Sequence, residues 1–175
     1  MWKIIVIVVV LLIAGILIYA STKPDAFHVE RTANIKATPD KLFPYINDFH
    51  QWQPWSPYEK LDPAMTRRFS GAAAGEGAIY EWEGNSKAGA GRITITQATP
   101  PNQVKIKLEM FKPFAATNDV TFTLRPNGDS TDVTWAMDGQ SILLSKVMGL
   151  FFNMDGMVGG QFEEGLRNLK ALVEK

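Results

Sequence analysis

The C-terminal segment has the most regular hydrophobic pattern in the chain. Between residues 155 and 174, apolar residues recur at steps of three and four, and charged or amide residues take the other positions. This spacing predicts one long amphipathic helix, because residues three and four apart share a helix face. The segment also holds four glycines, each costing about 1 kcal/mol relative to alanine. We therefore expect a sheet or a ligand to press closely against this helix.

Upstream, the pattern changes to strand-like alternation. Residues 27–36 alternate as a half-buried first strand, and six further runs follow between residues 65 and 137, separated by turn residues. The clearest run is 104–110, where Val, Ile, Leu and Met alternate with Lys and Glu. One apolar and one solvated face is typical of an antiparallel sheet covered on one side. The predicted fold class is α+β, with a curved antiparallel sheet of about seven strands around the C-terminal helix.

Two segments between the first strand and the later ones have their own patterns. Thr38, followed by Pro39, is a typical start of a short helix that should end near Asn47. The aromatic loop, residues 49–58, combines His50, Trp52, Trp55 and Tyr58 with prolines. It is too irregular for a strand and too rich in proline for a continuous helix. Two interpretations remain open, a hydrophobic plug at one end of the core or the entrance to a ligand site.

The N-terminal residues 4–20 contain no charged side chain. A helix of this length spans close to the hydrocarbon core of a bilayer, and Trp2 and Tyr19 lie where interfacial aromatic residues would sit. The alternative is a cleaved signal peptide, although the apolar run is longer than a typical signal core and Ile18 fits a cleavage pattern poorly. We expect residues 1–22 to be a single-pass anchor and residues 27–175 to form the domain. The favoured location is a bacterial inner membrane with the domain outside the cytoplasm.

Composition narrows the function classes. The 175 residues include 18 basic and 18 acidic side chains, so no net field attracts nucleic acid. The absence of cysteine excludes disulfides and thiolate metal sites. The two histidines, His28 and His50, form no pair at metal-ligand spacing, and no nucleotide-binding or nucleophile-elbow motif is present. We expect no metal and no cofactor.

Strand and helix parity select the side chains expected to line a chamber between the sheet and the helical layer. The segment 142–157 is rich in methionine and phenylalanine, which suits an adaptable apolar lining. The open volume is expected near Trp52, Trp55, Trp82 and the bend at residues 151–154. The predicted ligand-binding residues are Trp52, Trp55, Tyr80, Trp82, Ile93, Ile95, Ile106, Leu108, Phe122, Trp135, Met148, Phe151, Met154 and Phe162.

Few polar groups are expected to face this chamber. Glu81, Glu83, Asp119 and Asp138 fall on the outward parity of their strands. Arg31 falls on the inward parity, which indicates either a register slip at the sheet edge, the interpretation we favour, or a charge that faces the cavity. The polar groups able to orient a ligand are Arg31, His50, Asn118 and Asp155.

Several stretches resemble small bacterial members of the SRPBCC superfamily, the START-like and polyketide cyclase/dehydrase-like group. They are residues 35–43 (IKATPDKLF), 52–59 (WQPWSPYE), 75–85 (GEGAIYEWEGN), 131–139 (TDVTWAMDG) and 162–170 (FEEGLRNLK). The resemblance covers residues 27–174 and implies the helix-grip fold with a ligand chamber. Because the superfamily includes lipid and sterol carriers, hormone receptors and polyketide cyclases, the resemblance does not imply one reaction.

Three functions are compatible with the sequence. The first is a membrane-tethered binding module for a hydrophobic small molecule or lipid. The second is a polyketide cyclase or dehydratase-like enzyme acting on an apolar substrate, which requires an inward acid or base. The third is an interaction module that uses exposed indoles of the aromatic loop, although no protein partner can be named. Burial of the tryptophans and of the inward polar groups discriminates between the three.

Overall fold

The computed structural model describes residues 1–141, 143–151 and 153–175, with only the backbone described at Leu144 and Met154. The helices are α1 (Trp2–Ser21), α2 (Pro39–Asn47), α3 (Leu143–Phe151) and α4 (Met154–Val173), and short 3-10 helices lie at Phe49–Gln51 and Pro57–Lys60. The strands are β1 (Ala26–Ile35), β2 (Thr66–Gly71), β3 (Ala78–Glu83), β4 (Ala90–Thr99), β5 (Gln103–Lys112), β6 (Ala116–Asn127) and β7 (Ser130–Gln140).

The seven strands form one antiparallel sheet in the order β1-β7-β6-β5-β4-β3-β2. The α+β class and the long C-terminal helix are thus confirmed, and α4 differs from the predicted 155–174 by one residue at each end. The short helix α2 begins after Thr38 and ends at Asn47, the predicted bounds, although the Thr38 side chain makes no capping hydrogen bond. α4 packs against β1, β7 and the Pro57–Lys60 turn, so it covers one part of the sheet.

Strand register arranges the inward-facing side chains in rows across the sheet, and four of these rows, counted toward the end where β1 begins, define the region of interest. The first row is Arg31, Trp135, Phe122 and Val104; the second is Val29, Met137, Val120, Ile106 and Ile95. The third is Phe27, Gly139, Asn118, Leu108, Ile93, Tyr80 and Phe69; the fourth is Ala116, Met110, Gly91, Trp82 and Arg67. Tyr80 and Trp82 therefore lie on the inner face, as strand alternation predicts.

The two ends of the sheet differ in what is attached to them. β1 begins and β7 ends at the same end, because Ala26 pairs with Gln140. The connection between β5 and β6 lies there too, since Met110 pairs with Ala116. We call this the α1 end, because only residues 22–25 separate α1 from β1. The opposite, distal end carries the β6–β7 turn, where Asn127 pairs with Ser130.

α1 stands apart from the sheet and is in contact with α3. Its most apolar window has a mean hydropathy of 3.1, and Ala20 is its one buried residue. α3 packs against α1, and Lys146 of α3 pairs with Asp25 in the connection that follows α1. The amide of Ser141 also donates to the Asp25 carbonyl at 2.8 Å. α1 is the single helix in the described ranges that is long and apolar enough to cross a membrane, a property that signal sequences share.

The glycines of α4 mark how closely the helix approaches the sheet. A Cβ at Gly165 would lie 2.7 Å from Cζ3 of Trp135, which is too close, and 3.0 Å from Cδ of Pro57, which is a tight contact. A Cβ at Gly159 would overlap the guanidinium of Arg31. At these two positions, the sheet and its side chains lie as close to α4 as the glycine content predicts.

This contact predicts opposite effects of one substitution at two places on α4. Gly165→Ala should lower the free energy of unfolding by about 1 to 3 kcal/mol, because the methyl group overpacks against a buried indole. Gly160→Ala is the matched control, since a Cβ there meets nothing within 4 Å; it should raise stability by about 0.5 to 1 kcal/mol through helix propensity. Urea unfolding of the full chain in mild detergent measures both. A stabilising Gly165→Ala would contradict the close contact.

Candidate ligand site

Aromatic rings fill the space between α4 and the inner face of the sheet. Trp135 stacks on Phe162 of α4 with ring centroids 4.4 Å apart, and it lies 4.8 Å from Phe122. Trp55 meets the rings of both Trp135 and Phe122 at 5.8 and 6.1 Å. These rings are at most 2% exposed. Such edge and stacked contacts contribute to stability beyond the burial of area alone.

The aromatic loop seals this packed region. Trp52 is 6% exposed and Trp55 0%, and their indole nitrogens donate to the carbonyls of Ile46 at 3.0 Å and Tyr45 at 3.1 Å. Both indoles are thus fixed inside the core and closed to solvent, and open volume beside Trp52 and Trp55 stays a prediction. The interaction module with exposed indoles is wrong, since the monomer itself covers them. The plug interpretation of the loop agrees with this packing.

Toward the α1 end, the inner face becomes only half covered. We call this region the open end and define it by Phe27, Trp82, Leu108, Met110 and Asn118, all of which are partly exposed. They belong to the third and fourth rows and come from four different strands. An apolar face with partial cover and one amide group has the composition expected of a ligand site.

Two glycines leave space on the inner face of the sheet at the open end, and neighbouring side chains lie over them to form the floor of this region. A Cβ at Gly91 would lie 2.5 Å from the ring of Trp82, and a Cβ at Gly139 would lie 2.5 Å from the ring of Phe27 and overlap Oδ1 of Asn118. These side chains thus lie flat across the glycines. The Trp82 indole is also fixed at its nitrogen, which donates to the Ala88 carbonyl at 2.9 Å. The floor is therefore preformed by backbone and ring contacts.

The sequence-predicted lining residues fall into three groups in the structure. Buried residues form the first group: Trp52, Trp55, Tyr80, Ile93, Ile95, Ile106, Phe122, Trp135 and Phe162. Trp82 and Leu108 are partly exposed at the open end. Met148 and Phe151 are 43% and 66% exposed on α3, which packs against α1, so they do not converge with the others as expected. The Met154 side chain lies outside the described residues.

Arg31 is an inward charge and not a register slip. The pairing of β1 with β7 is continuous from Ala26 to Ile35, and Arg31 lies opposite Trp135. Its guanidinium donates to Asp155 at 2.9 Å and to Glu163 at 2.7 Å, which fixes the first turns of α4 to β1. Hydrogen bonds from Arg31 lower the pKa of Asp155. The stabilisation by this ion pair is therefore fully present above the ordinary pKa of an aspartate side chain, and it is lost as the pH falls through the lowered pKa.

His50 lies outside the packed core. Its side chain is 52% exposed, its Nδ1 is 2.8 Å from Oδ1 of Asp48, and its ring stacks on Phe69 at 4.3 Å. It lines a cleft of about 210 Å³ together with Phe49, Gln53, Glu59, Arg67 and Phe69. Neither His50 nor Asp155, whose side chain is 60% exposed, is the buried acid or base that the enzyme hypothesis requires.

At the base of this cleft lies a buried polar cluster that the sequence analysis did not identify. The Glu59 side chain is 6% exposed and accepts hydrogen bonds from Nε of Arg67 at 2.7 Å and from the Tyr80 hydroxyl at 2.6 Å. Burial, followed by the neighbouring Glu59, raises the pKa of Tyr80. Both carboxylate oxygens are thus paired within the protein, and the cluster joins the Pro57–Lys60 turn to β2 and β3. The inward parity of Arg67 was the available signal.

Replacing Glu59 tests whether this cluster supports the fold. Glu59→Gln should lower the free energy of unfolding by about 2 to 4 kcal/mol, because Arg67 loses its counter-charge in a largely buried site. Glu81→Gln is the control, since Glu81 pairs with Arg92 on the solvated face of the sheet; it should cost about 0 to 1 kcal/mol. Urea unfolding of the full chain measures the difference. Equal effects would contradict a structural role for the buried pair.

Three buried side-chain atoms have no hydrogen-bond partner within the described part of the chain: Oδ1 of Asn47, Oγ of Ser56 and Nε1 of Trp135, which lies in the packed region. A buried donor of this kind costs about 1 to 3 kcal/mol unless water or a ligand oxygen satisfies it.

Across residues 1–141, 143–151 and 153–175, no three histidine or acidic side chains lie together as metal ligands would.

Solved structures resemble this fold at low sequence identity. CV1439 from Chromobacterium violaceum superposes with a TM-score of 0.60 at 14% identity, covering 87% of this chain and 99% of its own. MLL2253 from Mesorhizobium loti gives 0.62 at 16%, covering 85% and 97%. CalU16 from Micromonospora echinospora gives 0.58 at 18%, covering 85% and 74%. These similarities establish the fold alone.

The family is identified by comparison of the sequence with family profiles. No curated protein matches the chain. Residues 26–174, which run from the first residue of β1 to just beyond α4, match the profile of the family described as polyketide cyclase / dehydrase and lipid transport. The matched range includes all seven strands and leaves out α1. The chain therefore belongs to the polyketide cyclase / dehydrase and lipid transport family, within the SRPBCC superfamily.

Proposed function

We propose that this protein is a membrane-tethered binding module for a hydrophobic small molecule or lipid. The observation that carries the proposal is the change in packing along the inner face. Under α4 the face is filled by aromatic rings, whereas at the α1 end Trp82, Leu108 and Met110 are apolar and only partly covered. Partly covered apolar side chains on a preformed floor gain free energy when an apolar ligand covers them.

The magnitude of that gain suits a lipid-like ligand. Each Å² of apolar surface removed from water contributes about 25 cal/mol, so covering on the order of 300 Å² contributes about 7.5 kcal/mol before the cost of association. Asn118 adds an amide that can orient a polar group of the ligand. The description of the family, which includes lipid transport, supports this chemistry.

The tether is α1. Its 20 residues are about 30 Å long as a helix, which matches the hydrocarbon thickness of a bilayer. We place the protein in the inner membrane of a bacterium, with the amino terminus inside and the domain outside the cytoplasm. A ligand that partitions into the bilayer would then be concentrated beside the open end.

Membrane fractionation distinguishes a retained tether from a cleaved signal peptide. The full chain should remain with the membrane after extraction with alkaline carbonate, and its intact mass should include residues 1–20. A mature protein that begins near Ser21 and is released in soluble form would contradict the tether. This result would leave the ligand site untested, and the next experiment addresses that site separately.

Adjacent residues on one strand provide a matched test of the ligand site. Leu108 lies on the inner face at the open end, whereas its neighbour Lys107 is exposed on the outer face. Leu108→Trp should fill the open end and reduce bound lipid several-fold, because the larger ring occupies the apolar surface. Lys107→Trp adds the same ring to the solvated face and should leave lipid retention unchanged.

The measurement is extraction and mass spectrometry of apolar molecules retained by the full chain after exchange into amphipol. Near-ultraviolet circular dichroism verifies that both variants keep the packing of the wild-type tryptophans. Retention of the same lipids by Leu108→Trp, or a wild-type protein that retains none, would contradict binding at the open end.

A further inference from the structure

We propose that the domain itself docks on the bilayer through an apolar rim at the α1 end, so that the open end faces the lipid surface. The rim consists of Phe111, Phe114, Leu143, Met148 and Phe151. The inference rests on the tether in the proposed function and adds a second, peripheral contact with the membrane. Its occupant is the interfacial region of the bilayer into which α1 inserts.

The topology brings the rim to the end of the sheet that is nearest to α1. Phe111 lies near the end of β5 and Phe114 lies in the β5–β6 connection, which is at the α1 end because Met110 pairs with Ala116. α3 follows β7 at the same end, since Gln140 pairs with Ala26. The rim residues therefore lie at the same end of the sheet as the point where the chain leaves α1.

The connection to α1 is too short for this end to stand away from the membrane. The four residues 22–25 reach at most about 14 Å when fully extended. The headgroup region is itself about 5 to 8 Å thick on each side. The connection is also held by contacts of Asp25 with Ser141 and Lys146. With α1 inserted, the rim lies at the level of the headgroups.

The side chains of the rim are unusually apolar for an exposed surface. Phe114 is 65% exposed and Phe151 66%, while Phe111, Leu143 and Met148 are 43 to 50% exposed. Exposed apolar residues that are grouped at one end of a domain are typical of a surface that contacts a partner or a membrane. Phenylalanine and leucine insert readily at the boundary between headgroups and acyl chains.

Two lysines beside the rim are paired with carboxylates, and Lys23 in the connection to α1 donates to the Tyr19 hydroxyl at 3.0 Å, which leaves little electrostatic attraction to anionic lipid. Lys112 pairs with Glu83 at 2.6 Å, and Lys146 pairs with Asp25. Docking should therefore depend on apolar insertion, and neither salt nor anionic lipid should change it strongly. This property separates the rim from a basic membrane-binding patch.

Site-specific labelling measures the depth of the rim in the membrane. Because the chain has no cysteine, single-cysteine variants can be labelled uniquely with the fluorophore NBD. Phe114→Cys and Phe151→Cys report on the rim, and Asp129→Cys, an exposed residue in the β6–β7 turn at the distal end, is the control. The full chain is reconstituted in phosphatidylcholine vesicles with or without lipid that carries a nitroxide on the acyl chain.

Docking predicts blue-shifted emission at positions 114 and 151, with quenching by the nitroxide lipid several-fold greater than at position 129, in low and high salt alike. Equal quenching at all three positions would overturn the proposal, because the domain would then stand away from the bilayer. Blue-shifted emission without quenching would also overturn it, since another protein surface or a second copy would then cover the rim. Quenching that disappears at high salt would exclude apolar insertion.

Two measurements on the same preparations separate this proposal from the proposed function. Flotation of the vesicles with the labelled chain reports the tether, because α1 alone is sufficient for it. Lipid retention, compared between Leu108→Trp and Lys107→Trp, reports the ligand site. A chain that floats and retains lipid while its labels at 114 and 151 stay unquenched would refute the rim and leave the binding function intact.

Discussion

The contact between α4 and the sheet at Trp135 is the constraint on which the architecture depends. The indole stacks on Phe162 at 4.4 Å, and Gly165 leaves no room for a Cβ beside it. Arg31 in the same row of the sheet holds the first turns of the helix through Asp155 and Glu163. Because these contacts fix where α4 lies, they also determine which part of the inner face is closed and which part stays partly covered.

The packed region under α4 is closed for one reason, and the open end is only partly covered for another. Trp52 and Trp55 complete the packed region because their indole nitrogens are anchored to the carbonyls near the end of α2. At the α1 end, glycines at positions 91 and 139 lower the sheet surface, so the side chains lie flat and do not fill the space above. The same sheet therefore supports a rigid core and an accessible apolar floor.

Alternation of side chains predicted the inner face well, because strand parity is a local property. Tyr80, Trp82 and Leu108 all lie where the two-residue period places them. The position of α3 could not be obtained in this way, since its apolar residues suit contact with a sheet or with another helix equally, and here it packs against α1. The Glu59–Arg67 pair was missed because it joins a turn to an edge strand: strand parity marks Arg67 as inward, but no periodicity or motif marks Glu59 as its partner.

The place where α1 joins the domain follows from strand order. β1 is an edge strand that pairs only with β7, so the segment before β1 must meet the segment after β7 at one end of the sheet. That end also carries the β5–β6 connection, because β5, β6 and β7 are consecutive antiparallel neighbours. A hydrophobic segment placed before β1 is thus brought beside the open end by topology alone. An apolar ligand moving between a bilayer and this domain would have its shortest path there, with the least exposure of its surface to water.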